Sequence, residues 1–80
     1  MKFTWDEKKR RANILNHGFD FVDANEVFEG IVFTLEDDRF HYGEERFITI
    51  GLLKGTTVVI AHTEKGNDIR IISMRKATKH

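Results

Sequence analysis

The chain has 80 residues, 40% apolar and 32% charged, with zero net charge and no cysteine. That length supports one small domain over residues 1–80, and the composition suits a compact fold rather than a disordered tail. Disulfides, thiolate zinc sites and thiol nucleophiles are excluded. The longest apolar run, residues 58–61, falls far short of the ~20 residues of a membrane span, and no secretory pattern precedes Trp5, so a cytoplasmic location is expected.

In chain order, residues 2–5 alternate as a short first strand. Asp6 then stands where a helix N-cap belongs, with Glu7 in the favourable first turn. The helix runs to about His17, and Gly18 supplies a left-handed close. Lys8, Ala12 and Leu15 share a weakly apolar stripe, whereas Lys9, Arg10 and Asn13 point elsewhere. Asp20 can cap a second helix, in which Phe21, Ala24, Val27 and Phe28 recur at helical spacing before Gly30 ends it. The period then changes to two. Ile31, Phe33 and Leu35 alternate with Val32, Thr34 and Glu36, and Ile48, Ile50 and Leu52 line up on one face. Lys54-Gly55 makes a tight hairpin into "TTVVIAHT", and "EKGND" turns the chain into "DIRIISM". The closing "RKATKH" reads as the start of a third helix. The expected fold is α+β: a short N-terminal strand, two helices, then an antiparallel four-stranded meander with helices on one face.

Zero net charge hides a segregation. Residues 20–46 hold nine acids and two bases, and the flanks hold eleven bases and four acids. Flanks that meet in space make a basic surface for a polyanion; otherwise they are solvated helix faces. Alternation in the last strand places Ile69, Ile71, Ser73 and Arg75 on one face and Arg70, Ile72 and Met74 on the other. An arginine at the rim of a sheet offers a planar fork of donors suited to phosphate, and its competing role is an ion pair with the acidic block. "HYGEERF", residues 41–47, gathers His41, Tyr42, Glu44, Glu45 and Arg46, enough for a base, an acid and a cation in phosphoryl transfer, or merely a charged hairpin tip. His17 suits a structural role at a helix C-terminus. His62 and Glu64 stand two apart without a third ligand at metal spacing, no phosphate-binding glycine loop occurs, and Ser73 has no nucleophile elbow, so no metal or cofactor is expected.

"FTWDEKKRRANILNHGFDFVDA", "VF" at 27–28, "YGEERF" followed by Gly51, and "IRIISMRKAT" together resemble the BrnT family of toxins from type II toxin-antitoxin systems. The most specific pieces are Trp5, Asp6, Lys8, Asn13, His17 and Gly18, and then Ile71, Ile72, Ser73, Arg75 and Ala77. The resemblance implies a RelE-like fold and an endoribonuclease that arrests growth. It also implies a hetero-oligomer with a BrnA-type ribbon-helix-helix antitoxin, through which alone operator DNA is contacted. On that reading RNA supplies its own nucleophile, the 2′ hydroxyl, and no metal is needed. Arg75, Arg46 and Arg70 serve as cations, Glu44 or Glu45 as base, and His62, His41 or Tyr42 as acid. Lys8, Lys9, Arg10, Arg11 and Lys76 border the RNA backbone, with Trp5, Asp6 and His17 in supporting roles. Strict alternation separates Arg70 from Arg75, so both reach one phosphate only if a bulge or the strand's end turns one of them. The alternative function is a non-catalytic RNA- or protein-binding domain.

Overall fold

The computed structural model describes residues 1–38 and 43–78. Its elements are β1 (Lys2–Trp5), α1 (Glu7–His17), a 3-10 turn (Phe21–Asp23), α2 (Ala24–Glu29), β2 (Phe33–Asp37), β3 (Arg46–Leu53), β4 (Thr56–Lys65) and β5 (Asp68–Lys76). The local signals act as their chemistry requires. Asp6 accepts from the backbone N–H groups of Lys8 and Lys9, and Gly18, at φ 77°, donates to the Ile14 carbonyl. Asp20 accepts from the Val22 N–H at the start of the 3-10 turn. Lys54 and Gly55 both take positive φ, as the two-residue hairpin between β3 and β4 demands.

The sheet order is β1-β5-β4-β3-β2. Successive strands from β2 to β5 pair antiparallel. The sheet as a whole departs from the purely antiparallel expectation, because β1 joins as a fifth strand, parallel to β5. A short strand followed by a helix returns easily to a distant edge, whereas the sequence signal of β1 says nothing about its neighbour. The C-terminal helix expected at "RKAT" is also replaced: Arg75 and Lys76 continue β5.

Helix α2 closes one face of the sheet. Phe21, Ala24 and Val27 bury there with Val58, Ile60, Ile71 and Met74. Close approach requires small residues beneath, and Gly51 supplies one: a Cβ there stands 2.8 Å from Val27 Cγ1 and 2.9 Å from Val32 Cγ1. The covered side of β3 therefore carries Thr49, Gly51 and Leu53, and its larger aliphatics Ile48, Ile50 and Leu52 turn to the other side.

Helix α1 is held by polar contacts rather than by its expected stripe. Leu15 is 86% exposed, and Asn13, expected to point outward, is buried. Its Nδ2 donates to the Met74 carbonyl at 2.8 Å and to the Phe19 carbonyl at 2.9 Å, while its Oδ1 accepts from the Met74 N–H at 3.1 Å. Strand β1 pairs with β5 only as far as Ile71. Asn13 thus satisfies the edge of β5 where the neighbouring strand has ended, doing with one side-chain amide what a strand does with its backbone.

Candidate nucleic-acid interface

The face left uncovered by α2 is set by register. Thr63 and Val59 project to it from β4, opposite Arg70 and Arg75 of β5. Both arginines share this face because the ladder shifts by one: Ala61 pairs with Ser73, but His62 pairs with Ile71, leaving Ile72 as the extra residue of a bulge. Strict alternation, which separated the two, fails at that point. Ile69, Ile71 and Met74 all turn inward, and Arg70, Ser73 and Arg75 all turn outward.

Arg46 joins them. It pairs with Asp37 of β2, one step before the Phe47–His62 pair, so it flanks Thr63 from the side opposite Arg70. Two strand spacings, roughly 10 Å, separate the Cα atoms of Arg46 and Arg70, and four residues of β4, roughly 13 Å, separate the rows of Arg70 and Arg75. Glu44 lies 3.7 Å from Arg46 Nε. Glu44 and Glu45 also border a cleft of about 640 Å³ with Thr4, Thr63 and Arg70. Glu64, Lys65 and Asp68 complete its rim, so carboxylates outnumber cations four to two. The cleft is two-signed, with Arg70 and Lys65 as its lining cations and Arg46 reaching it through Glu44.

Other residues singled out in the sequence stand elsewhere. Within the "KKRR" run, Arg10 is committed to the fold. Its Nε and Nη2 grip the two carboxylate oxygens of Asp20 at 2.8 and 3.1 Å, and Nη1 donates to Glu7. That fork holds the Asp20 carboxyl below its ordinary value. Arg11 Nε lies 3.6 Å from Glu7, whereas Lys8 and Lys9 stay exposed. The N–H groups of Lys9 and Lys8 hold the Asp6 carboxyl low as well. Lys76 pairs with Val58 and so points to the side opposite Arg75. Trp5 meets Phe21 edge-on at 6.3 Å, and His17 is exposed in the last turn of α1. His41 and Tyr42 lie outside the described residues.

His62 is wholly buried on the covered face, away from the arginines. Phe47 stacks on its ring and Phe28 meets it edge-on. Its Nε2 lies 2.6 Å from Thr49 Oγ1, which lies 2.8 Å from Thr34 Oγ1, and its Nδ1 faces Glu64 at 3.5 Å. A proton on Nδ1 lets Nε2 accept from Thr49 and lets Thr49 accept from Thr34. Burial lowers the pKa of the imidazole to about 4, so it is neutral at pH 7.

Comparison with protein families gives a match over residues 5–80 to the ribonuclease toxin, BrnT, of type II toxin-antitoxin systems. The chain belongs to the BrnT family. It is accordingly a ribonuclease toxin of a type II system, and membership implies an antitoxin partner. A comparison with curated proteins returned no match. In this BrnT chain both segments most specific to the resemblance hold structure. The N-terminal one contains the Asp6 cap, the Asn13 stitch and the Gly18 close, and the C-terminal one contains the Ile72 bulge. No signal in the sequence announced the Asn13 contact, because its partner Met74 lies 61 residues away. Among the described residues no helix is long and apolar enough to cross a membrane.

Proposed function

We propose that this toxin is a metal-independent endoribonuclease with a RelE-like fold, in which the uncovered sheet face cleaves RNA by attack of the substrate's own 2′ hydroxyl. The supporting observation is the Ile72 bulge, which puts Arg70 and Arg75 on the face that also carries Arg46. Arg46 and Arg70 flank the scissile phosphate and stabilise the charge that grows on its oxygens. Arg75, a row away, takes a neighbouring phosphate. Glu44 or Glu45, bordering the cleft beside Arg70, removes the 2′ proton. The 2′ oxygen bonds to phosphorus as the bond to the 5′ oxygen breaks, giving a 2′,3′-cyclic phosphate and a 5′ hydroxyl whose proton comes from water. His62 is assigned a structural role in this scheme, since a sealed neutral imidazole has no path to the leaving oxygen. The exposed Lys8 and Lys9 contribute long-range attraction, and the antitoxin is of the BrnA, ribbon-helix-helix type.

The test is chemical. Purified toxin with RNA in EDTA yields fragments ending in 2′,3′-cyclic phosphate, and a 2′-deoxy substitution at the cleaved position blocks the cut. Cleavage that requires added metal, or that survives the deoxy substitution, contradicts the mechanism.

A further inference from the structure

The uncovered face is more apolar than phosphate binding requires. Phe33, Ile50 and Val59 form one row in register beside Arg75, and Leu35, Ile48 and Ala61 form the next beside Ser73. Phe33 is 62% exposed, Leu35 48% and Leu52 60%. Among the described residues, strand β2, which carries Phe33 and Leu35, pairs only with β3 and stands at the edge of the sheet. A free edge bearing outward aliphatics is a liability that natural sheets normally blunt or cover.

The chemistry of the patch selects its occupant. Nucleobases bind chiefly by stacking on aromatic rings, and Phe33 is the sole aromatic in these rows, so an RNA makes poor use of the aliphatics around it. Aliphatics framed by arginines instead match a polypeptide with an apolar stripe and acidic flanks. Family membership supplies a polypeptide partner, the antitoxin.

We infer that the antitoxin docks an apolar segment with acidic flanks on the uncovered sheet face, over Phe33, Leu35, Ile50 and Leu52, with its carboxylates against Arg75, Arg70 and Arg46. It then neutralises the toxin by direct occlusion, a consequence that rests on the RNA site proposed above. The docking itself does not.

The experiment uses the toxin co-expressed with the antitoxin of its own system and compares wild type with the double variant Leu35→Glu, Leu52→Glu. Leu35 is 48% exposed and Leu52 60%, so the fold is retained, as a thermal melt verifies. The expected result is an antitoxin affinity at least 100-fold weaker, read as binding by the folded variant rather than as its cleavage rate, because carboxylates added to this face also repel RNA. Unchanged affinity in a folded variant overturns the inference. Amide exchange in the wild-type complex reads the same surface without mutation: residues 33–37 gain protection on binding, and absence of that gain also overturns it. Patch protection already present in the free toxin, lost on dilution, assigns the face to a second copy of this chain and overturns it likewise. The arm with Arg70→Ala separates the two ideas, since loss of cleavage there leaves antitoxin binding within about tenfold, and a wild type that never cleaves RNA sinks the nuclease mechanism while the binding arms still decide the docking.

Discussion

At the scale of single residues, Asn13 and His62 are buried polar side chains held by partners on other elements. Asn13 saturates the Met74 backbone at a sheet edge, so Asn13→Ala strands a buried N–H and a buried carbonyl. Chemical denaturation of that variant is expected to show a loss of about 1–3 kcal/mol, the cost of unsatisfied buried groups. His62 makes stability depend on pH. Its folded pKa, about 4, lies below the unfolded value of 6.5, so the folded state binds fewer protons between those values. Stability is therefore full above about pH 6.5 and falls as pH drops towards 4, by roughly 3 kcal/mol over that window. Denaturation at pH 7 and pH 4.5 checks this, and His62→Leu should flatten that part of the profile. The residue-scale features legible in the sequence were the local ones. Asp6, Gly18 and Asp20 act on backbone within four residues of themselves. Asn13 and His62 take their meaning from partners on other elements, which no spacing reveals.

At the scale of elements, the strands were legible and their facing was not. The alternation of Ile48, Ile50 and Leu52 is real, but it marks the uncovered side, because Gly51 and Thr49 are what α2 tolerates at close range. Gly51→Ala is expected to cost about 1–3 kcal/mol by forcing Val27 and Val32 apart, measurable as a lowered melting temperature. The bulge at Ile72 is the second element-scale feature that alternation could not show. Deleting Ile72 restores a regular ladder and leaves Ile69, Ile71 and Met74 inward and Arg70 and Arg75 outward. The deletion variant should fold and keep measurable RNA cleavage, whereas deleting Ile60 from the unbulged part of β4 should unfold the chain. Equal damage from both deletions, seen by circular dichroism, would argue that the bulge is not where the ladder absorbs its extra residue.

At the scale of the whole molecule, charge is divided by face more finely than by chain segment. The acidic block and the basic flanks do not form two separate surfaces: Arg10 is consumed by Asp20, and Glu44 and Glu45 sit beside the arginines of the cleft. RNA affinity should accordingly fall only moderately with salt, with a log-log slope of about −1.4, as neutralising the two phosphates of a single strand implies. The family could be recognised from sequence because its motifs hold the fold's junctions, while the face on which its arginines meet depends on one bulge. The most direct test is single-turnover cleavage of a short RNA by wild type, Arg70→Ala and Arg70→Lys. Loss of about 100-fold or more in the alanine variant, with partial recovery in lysine and an unchanged melting temperature, is the predicted result. Cleavage by a folded Arg70→Ala variant at the wild-type rate would contradict the account.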